Sequence, residues 1–450
     1  MASTRLTRTS GTPTNNSKWT ISVWLKRASL SGDDFIFDAY VSANDRFKFA
    51  FNTANKLEIW NSNGGSDDSK LDATRKFRDT GAWYHLVLSM DATLSTASDR
   101  FKLYVNGTRE TDFGSNINPP QNSTEFVVNQ NGATLAIGDY HGGSNNFDGC
   151  MSHFHFVDGT AYDPSTFGET DSTTGEWKIN SNPTVTYGNN GFFLFKDNAS
   201  VTDQSGNSNN FTVAAGTLLA TEDNPSNNFP ILNTMIAYTP STTAIGGALQ
   251  ITKTDSGYKP GLATFGAFAG KYYAEFKLET ASGYTNFGVV NVFKDVFVGT
   301  GSGLDYIGDG TDGVAYQPGS SSLYYNGGSV GSYGTAAQGD IIGIALDIDN
   351  GFVYWSKNGT FLNSGVPTSG GTGTGGYALS NLESASGNYY VFGVSVAGTG
   401  GTRTISCNFG QGFFGTTAVA SAGTNASNHG VFEYDVPAGF TAMCSKGLNE

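Results

Sequence analysis

Few side chains in this sequence stand at a spacing that could support catalysis or metal binding. His153 and His155 are two residues apart in MSHFHF, so a β-strand would direct both rings to one face of a sheet. Such a pair can bind zinc, but no third ligand is evident, and two histidines packed on a sheet face are the alternative. The other histidines and the cysteines lack the spacing of a metal knuckle or the context of a nucleophile: His85, His141, His429, Cys150, Cys407 and Cys444.

Paired carboxylates would indicate glycoside hydrolysis, in which one carboxyl group is the acid and the other the nucleophile or base. Glu110 with Asp112, and Glu169 with Asp171, form two short pairs in segments rich in turn residues. Acidic side chains in such segments are usually solvated. We therefore expect that the protein is not an enzyme. A glycan depolymerase is the alternative, and it would require two carboxylates facing one groove.

Aromatic side chains are the candidates for ligand contact. Their flat faces can stack on sugar rings or anchor a protein partner at a low cost in conformational entropy. Tyr324 and Tyr325 are consecutive, so a strand can direct only one of the two rings into a core. A structural role on an edge strand is the alternative for each candidate. The candidates are Trp60, Tyr140, Tyr258, Tyr284, Tyr316, Tyr324 and Tyr325.

The composition indicates which elements must position these residues. The chain has 450 residues, with 60 Gly against 12 Pro, 32 Phe and 21 Tyr. These numbers are typical of many short strands joined by tight turns rather than of helices or disorder. The length is sufficient for two or three domains with buried cores. We therefore predict an all-β protein.

The formal net charge of −14, from 39 acidic and 25 basic residues, disfavours nucleic acid as a partner, because phosphate contacts need clustered Lys and Arg. No run of about 18 apolar residues occurs, so we predict no membrane insertion. The start, MASTRLTRTS, lacks the apolar stretch of a secretory signal, and three cysteines are too few for a disulfide framework. The composition suggests an extracellular protein, but the sequence lacks a secretory signal and a disulfide framework. This combination is typical of phage virion proteins, which are assembled in the cytosol and released by lysis.

Alternating apolar residues predict the strands. In KWTISVWLKR, residues 18–27, the apolar side chains recur at every second position and predict a strand buried mainly on one face. The strongest pattern is GDIIGIALDIDNGFVYWSKNG, residues 339–359, which predicts a hairpin turning at Asp349-Asn350-Gly351 and ending in a second Asn-Gly. The segment TEDNPSNNFP is the best linker. We predict domains at 1–218 and 236–450, joined by a linker at 219–235.

Two segments resemble known domain families. Residues 18–165, through WTISVWLKR, WYHLVLSMD, RFKLYVNG and FDGCMSHFHFVDG, resemble the laminin-G-like branch of the concanavalin-type jelly rolls. Residues 270–415, through KYYAEFKLE, GVAYQ, the 339–359 hairpin and SCNFGQGFF, resemble a SPRY domain. The resemblances imply two concanavalin-type jelly-roll β-sandwiches in tandem, laminin-G-like and then SPRY-like. They also imply that the hairpin belongs to the framework, whereas binding belongs to loops at the ends of the sandwiches.

The laminin-G-like resemblance implies calcium as a candidate cofactor, held by Asp and Asn oxygens and backbone carbonyls at the sandwich rim. Concanavalin-type hydrolases often carry Glu-x-Asp-x-x-Glu on one strand, and this sequence has no such motif. No acidic cluster matches a spaced loop such as the EF-hand, so turn formation is the alternative role. The metal candidates are Asp38, Asp139, Asp148, Asp203 with Ser205 and Asn207, Asp305, Asp309 and Asp312.

The complete arrangement, including FVDGTAYDPSTFGETDS, DQSGNSNNFTV and GFTAMCSKGLNE, is similar to structural and fibre-type proteins of marine bacteriophages. This resemblance implies a non-enzymatic virion protein, displayed as a fibre, decoration or adhesion component that binds host-surface glycan or protein. A purely structural head or tail component packed on other virion proteins is the alternative. We expect a homo-oligomer, with a trimer as one form, and many copies per particle would strengthen weak contacts.

Overall fold

A computed structural model describes residues 4–30, 32–233, 242–245, 247–280, 283–292, 306–382, 388–398 and 401–449. The chain divides into two compact units. The first unit comprises Met1–Ala220 with Asn224–Ser226, and the second comprises Thr221–Asp223 with Asn227–Glu450. In the described part of the chain, no helix has the length and apolar composition needed to cross a bilayer.

The first unit consists of short strands and very short helices. The helices are α1 (Ala97–Arg100) and the 3-10 helices Val127–Asn129 and Pro164–Thr166. The strands are β1 (Arg5–Thr9), β2 (Lys18–Arg27), β3 (Asp34–Ser42), β4 (Asp45–Phe51), β5 (Lys56–Asn63), β6 (Ser66–Lys76), β7 (Tyr84–Asp91), β8 (Phe101–Val105), β9 (Thr108–Arg109), β10 (Phe113–Ile117), β11 (Thr134–Ile137), β12 (Gly149–Asp158), β13 (Gly168–Thr170), β14 (Trp177–Ile179), β15 (Phe192–Leu194) and β16 (Thr212–Ala215).

Two antiparallel sheets form the sandwich of the first unit. One sheet has eight strands in the order β10-β6-β5-β4-β3-β11-β1-β16, and the other has six in the order β15-β12-β2-β7-β8-β9. Side chains alternate across each strand, so one set from each sheet meets in the core. Trp19 of β2 contacts Phe47 of β4 edge to face, with ring centroids 5.7 Å apart. Phe37 of β3 contacts Phe154 of β12 at 5.5 Å.

The prediction that β2 is buried mainly on one face differs from the structure, which buries both faces along most of the strand. The inner face lies in the sandwich core. The outer face of the six-stranded sheet is covered by residues after β12, since Phe167 packs with Val87 and Val157, and Trp177 bonds to His85. The chain path after β12 produces this covering layer. The alternation of apolar and polar residues within β2 contains no information about it.

The second unit has the same construction. Its strands are β17 (Thr242–Ile245), β18 (Gln250–Lys253), β19 (Lys259–Ala267), β20 (Lys271–Leu278), β21 (Thr285–Asn291), β22 (Gly313–Gln317), β23 (Ser322–Tyr325), β24 (Gly328–Ser332), β25 (Ile341–Asp347), β26 (Phe352–Lys357), β27 (Thr360–Phe361), β28 (Tyr377–Ala378), β29 (Tyr390–Val396), β30 (Arg403–Asn408), β31 (Phe413–Phe414), β32 (Thr417–Ala418) and β33 (Thr441–Ala442). The 3-10 helices are Pro318–Ser320, Leu362–Ser364, Pro367–Thr372, Leu379–Asn381 and Gly447–Asn449.

The two main sheets of the second unit follow the orders β17-β18-β30-β20-β25-β26-β27, to which β28 and β33 are added, and β19-β29-β21-β22-β23-β24. The predicted hairpin is β25 and β26, paired from Ile342 with Lys357 to Asp347 with Phe352. Trp355 of β26 donates its indole N–H to the carbonyl of Phe287 in β21, at 2.8 Å. The hairpin therefore joins the two sheets, as expected for a framework element.

The predicted all-β class, with two β-sandwiches in tandem, is confirmed. Part of the segment predicted as a linker packs into the second unit, where Phe229, Ile231 and Leu232 are 0%, 4% and 1% exposed. These apolar residues are buried because the backbone of Leu232 bonds to Ala248, which brings the segment onto the sandwich.

Candidate functional site

A group of polar and aromatic side chains lies on the outer face of the eight-stranded sheet in the first unit. The register pairs Tyr40 with Arg46 in β3 and β4, and Lys48 with Trp60 in β4 and β5. Phe37, Ala39, Phe47, Phe49 and Ile59 face the core from these strands. Alternation therefore directs the charged and aromatic side chains between them away from the core.

Arg46 is the centre of this group. Its guanidinium carbon lies 4.6 Å from the ring centroid of Tyr140 and 5.5 Å from that of Trp60. Its Nη2 atom lies 3.4 Å from Oδ1 of Asp38. Cations near aromatic faces are attracted by the ring quadrupole, so these contacts hold the rings and the guanidinium together. We call the following residues the Arg46 cluster: Asp38, Tyr40, Arg46, Trp60, Tyr140 and His141.

His141 supports the cluster from the opposite side of Asp38. Its Nδ1 atom lies 2.9 Å from Oδ2 of Asp38, and its backbone N–H donates to the same oxygen at 3.2 Å. Its ring stacks on Tyr40 with centroids 3.7 Å apart and contacts Tyr140 at 4.0 Å. Asp38 is fully buried, and burial raises the pKa of its carboxyl group, opposed by Arg46 and His141. The two rings that could meet a ligand, Trp60 and Tyr140, remain partly exposed.

Ion pairs balance the charge of this sheet face. Arg46 pairs with Asp38, Lys48 with Glu58 at 2.8 Å, and Lys70 with Asp72 at 3.1 Å. The three cations are therefore matched by three carboxylates. Arg5 of β1 also reaches this group and donates to the backbone carbonyl of His141 at 2.9 Å, so the face has charged hydrogen-bonding groups of both signs.

Asp38 and Asp139, two of the predicted calcium ligands, are engaged by protein groups. Asp38 is occupied by Arg46 and His141, so a divalent cation would have to displace a cation already in place. Asp139 accepts the backbone N–H groups of Tyr140, Ser144 and Asn145 with one oxygen and thereby organises its loop. Across the residues that the structure describes, no three His, Cys, Asp or Glu side chains are grouped to hold a metal ion.

The remaining metal candidates lie in different parts of the two units. Asp203 accepts hydrogen bonds from Phe193, Ser205 and Asn209, which makes it a turn organiser. Asp148 is partly exposed in the first unit. Asp309 and Asp312 lie in the loop before β22, and Asp312 is 5% exposed. Asp305 lies outside the described residues.

Several aromatic candidates of the second unit come together at one end of its six-stranded sheet. Tyr258 precedes β19 and Tyr284 precedes β21, and both strands pair with β29 at Val396. The ring of Tyr306 lies 4.8 Å from Tyr258 and 6.0 Å from Tyr324, centroid to centroid. Tyr258 and Tyr284 are 6.2 Å apart. We call these four residues the tyrosine cluster.

Gln317 provides a polar group beside the tyrosine cluster. Its Nε2 atom donates to the hydroxyl of Tyr258 at 2.8 Å and to Oδ1 of Asn286 at 3.0 Å. Asn286 is fully buried and donates in turn to the carbonyl of Ile307 at 3.2 Å. The Gln317 amide is therefore held in one orientation by buried protein.

The other two tyrosine candidates lie elsewhere. Tyr316 is 0% exposed, and its hydroxyl donates to the carbonyl of Gly334 at 2.9 Å, so the prediction that it lies on a binding loop does not agree with the structure. Its position in β22 directs the ring inward, a result of strand register. Tyr325 donates its hydroxyl to the carbonyl of Asn381 at 2.6 Å, and its ring lies 6.1 Å from that of Tyr377.

A serine and a histidine lie close together under the covering layer of the first unit. His85 is fully buried, with Nε2 at 2.9 Å from Oγ of Ser22. Trp177 donates its indole N–H to Nδ1 of His85 at 2.9 Å. An indole can only donate, so Nδ1 is an acceptor and Nε2 carries the proton. His85 therefore donates to Ser22 and cannot remove its proton, which is the reverse of what nucleophile activation requires.

His153 and His155 lie close to each other, with ring centroids 6.4 Å apart. His155 is stacked on Phe193 at 4.0 Å and bonds to the hydroxyl of Tyr187 at 2.8 Å. His153 has a φ of 47° at an irregularity in the pairing of β12 with β2. Sheet-face packing, one of the two alternatives for this pair, describes both side chains. The short carboxylate pairs act in turns, where Glu110 accepts from Thr111 and Asp112, and Asp171 accepts from Thr173 and Thr174.

Sequence reasoning missed Tyr40 and Arg46 in the first unit, and Tyr306 and Gln317 in the second. Strand alternation across β3 and β4 contained the signal for Tyr40 and Arg46, because both positions share a face with Asp38. Tyr306 and Gln317 had no local signal, since only the fold brings residues 258, 286, 306 and 317 together.

Residues 2–166 match the protein family described as the concanavalin A-like lectin/glucanases superfamily. The match covers most of the first sandwich and agrees with the concanavalin-type fold predicted for it. No curated protein matches the sequence.

Three solved structures are distantly similar. The SPRY domain of human HERC1 is 18% identical with a TM-score of 0.28, covering 37% of this chain and 91% of that chain. The TRIM65 PSpry domain is 13% identical with a TM-score of 0.30, covering 40% and 89%. The native heptameric SAP-like pentraxin from Limulus polyphemus is 14% identical with a TM-score of 0.29, covering 41% and 88%. Similarities at this level identify neither a ligand nor a partner.

Proposed function

We propose that this protein is a non-enzymatic binding protein of a bacteriophage virion, and that the Arg46 cluster of its first unit binds an uncharged glycan on the host surface. The observation that carries the glycan site is the arrangement of Trp60 and Tyr140, two partly exposed rings that both lie near the guanidinium of Arg46. This arrangement lies on a sandwich that matches a family of lectins and glucanases.

Sugar rings have an apolar C–H face and a hydroxyl rim, so they bind surfaces that combine aromatic faces with hydrogen-bonding groups. The Arg46 cluster supplies both. Contacts among Tyr40, Asp38, Arg46 and His141 restrict the side chains of the cluster before a ligand binds. This restriction reduces the conformational entropy lost on binding. Because Arg46, Lys48 and Lys70 are each paired with a carboxylate, we favour an uncharged glycan over an acidic one.

Two observations support a protein without glycan-cleaving activity. The Arg46 cluster contains one carboxylate, Asp38, which is buried and paired, whereas glycoside hydrolysis uses two. Ser22 accepts a hydrogen bond from Nε2–H of the buried His85 and is not activated by it. A glycan depolymerase is therefore the less favoured function.

The virion assignment rests on the resemblance of the sequence to marine phage structural and fibre-type proteins. In this setting the partners are other virion proteins, copies of the same chain in a homo-oligomer such as a trimer, and a host-surface glycan or protein. Multiple copies on a particle would convert weak single-site affinity into stable attachment. A purely structural role in the head or tail is the second candidate, and in that case the outer sheet face would be covered by another virion protein.

The test is binding of the full-length chain to a panel of neutral and acidic polysaccharides, with the variant Trp60→Ala and the control Val41→Ala. Val41 is an apolar residue, 39% exposed, that follows Tyr40 in β3. We expect Trp60→Ala to weaken binding to neutral glycans by about tenfold or more, equivalent to about 1.4 kcal/mol, and Val41→Ala to leave it unchanged.

Two results would contradict the proposal. Equal affinity of wild type and Trp60→Ala for neutral glycans would remove the Arg46 cluster as the binding site. Binding of wild type to acidic polysaccharides alone would contradict the ligand class.

A further inference from the structure

Tyr284 combines an unfavourable backbone conformation with an exposed ring. Its φ is 58°, in the left-handed region, and its side chain is 47% exposed. This conformation costs a non-glycine residue about 1–2 kcal/mol. Burial of the ring would offset such a cost, but an exposed ring gains little from packing. Strained residues that are kept without a packing gain are frequently functional.

The described groups around the hydroxyl of Tyr258 are uncharged and rich in hydrogen-bonding atoms, while Arg403 donates to the carbonyl of Gly283, beside Tyr284, at 3.1 Å. The groups that act on the hydroxyl of Tyr258 are Gln317 and the three other tyrosines of the cluster, with no charged residue among them. Gln317 uses its Nε2 atom for two hydrogen bonds, and in the described part of the chain its Oε1 atom has no partner. The tyrosine cluster thus combines aromatic faces, phenol hydroxyls and a fixed amide oxygen.

We propose that the tyrosine cluster of the second unit is a second glycan-binding site, which takes an uncharged sugar. The ring of Tyr284 would stack on the C–H face of the sugar. The Oε1 atom of Gln317 would accept a hydrogen bond from a sugar hydroxyl, and the tyrosine hydroxyls would bind others. A fixed polar group beside aromatic rings is the usual composition of a small-molecule site.

A peptide partner is less well matched by this site. A protein anchor is typically an aromatic or aliphatic side chain that fills a desolvated pocket. The tyrosine cluster instead presents hydroxyl and amide groups around partly exposed rings. An uncharged, hydroxyl-rich ligand satisfies those groups, whereas an apolar side chain would leave them without partners.

The site is independent of the Arg46 cluster, because its residues belong to the other compact unit. The experiment therefore uses the full-length chain with the first site removed by Trp60→Ala. In this background the variant is Tyr284→Gly, which removes the ring and also relieves the left-handed backbone, since glycine adopts positive φ without strain. The control is Phe268→Ala, which removes a ring that is 77% exposed in the turn between β19 and β20.

We expect Trp60→Ala to retain measurable binding to a panel of neutral oligosaccharides, and the added Tyr284→Gly change to reduce it at least tenfold. Phe268→Ala should leave that binding unchanged. The melting temperature of Tyr284→Gly should equal or exceed that of its parent, because the strain is relieved. Tyr284→Asn provides a second variant, since asparagine also tolerates the left-handed region.

Each contrary result has a distinct meaning. If Trp60→Ala alone abolishes all glycan binding, the second site does not exist and the proposed function of the first unit stands. If Tyr284→Gly alone abolishes it, the glycan site assigned to the first unit is wrong and the second site stands. If both changes leave binding intact, both assignments fail. Tyr284-dependent binding of uncharged peptides without binding of oligosaccharides would overturn the ligand class.

Discussion

At the scale of single residues, burial determines what the ionisable groups of the first unit can do. Burial lowers the pKa of His85 to about 3 and that of His153 to about 4, and it holds the pKa of His155 well below its usual value. The neighbours of these rings are mostly aromatic, hydroxyl and indole groups, namely Trp24, Trp177, Phe193, Tyr187 and Ser152. The charged groups near them are Lys196, which lowers the pKa of His153, and Asp197, which raises it. The three histidines are therefore neutral structural residues at neutral pH.

These histidines should make the first unit sensitive to acid. In the unfolded chain they bind protons below about pH 6.5, whereas the folded protein binds them only at lower pH. The stability that they contribute is therefore present above about pH 6.5 and is lost as the pH falls towards about 4. We expect His153→Asn to reduce the stability lost between about pH 7.5 and about pH 5 by about 1 to 2 kcal/mol.

Urea denaturation at the two pH values, followed by tryptophan fluorescence, measures this difference. Trp19, Trp24, Trp60, Trp83 and Trp177 belong to the first unit and only Trp355 to the second, so the signal reports mainly on the first unit. Asparagine is chosen because it accepts the positive φ of His153. The control is His429→Asn in the second unit. An unchanged pH dependence in His153→Asn would show that this ring is not the source of acid sensitivity.

At the scale of elements, Asn-Gly turns set the register of the hairpins. Asn106-Gly107 joins β8 to β9, and Asn358-Gly359 joins β26 to β27, and in both turns the two residues have positive φ. This geometry matches the twist of antiparallel strands and therefore aligns their pairing. The turn between β25 and β26 adds a capping contact, since Asp347 accepts from the backbone and side chain of Asn350.

Gly351, with a φ of 78°, should be required for the β25–β26 hairpin for conformational reasons alone. A Cβ atom at this position would meet no heavy atom within 4 Å, so Gly351→Ala introduces backbone strain without a steric clash. We expect a destabilisation of about 1–2 kcal/mol. Amide hydrogen exchange of residues in β25 and β26 measures the effect.

Gly371→Ala is the matched control, because a Cβ atom there also meets nothing within 4 Å and the residue does not have a left-handed φ. This change should be nearly neutral. Equal destabilisation by the two substitutions would mean that the turn conformation at Gly351 is not what stabilises the hairpin.

At the scale of the whole molecule, the net charge of −14 acts on every encounter with a charged surface. Bacterial surfaces that carry anionic polymers should repel the chain at long range, while a neutral glycan should not. Added salt shortens the range of this repulsion, since the Debye length is about 10 Å at 0.1 M.

Attachment of the protein to cells with an anionic surface should therefore become several-fold stronger as NaCl rises from about 20 mM to about 300 mM. Binding to an isolated neutral oligosaccharide should be insensitive to the same change. Titration of labelled full-length protein on cells and on the oligosaccharide measures both effects. Weaker attachment to cells at high salt would indicate that a local cationic site, rather than net charge, dominates recognition.

The sequence determined the features that depend on near neighbours along the chain. Apolar alternation predicted β2 at residues 18–27, and Asp349-Asn350-Gly351 predicted the turn between β25 and β26. Both signals are local, because side-chain alternation and turn conformation depend on a few consecutive residues. The all-β class was predictable from composition, because many Gly and aromatic residues with few Pro are typical of short strands joined by tight turns.

The tertiary structure alone decided which candidates share a site. Trp60 and Tyr140 are joined through Arg46, and Tyr258 meets Tyr306, because strands far apart in sequence pair in a particular register. Register also buries Tyr316. A Cβ atom on Gly107 would lie 2.5 Å from the ring of Trp177, a restriction that its Asn-Gly motif does not reveal. Contacts between distant segments depend on the whole set of pairings, so no short stretch of sequence contains them.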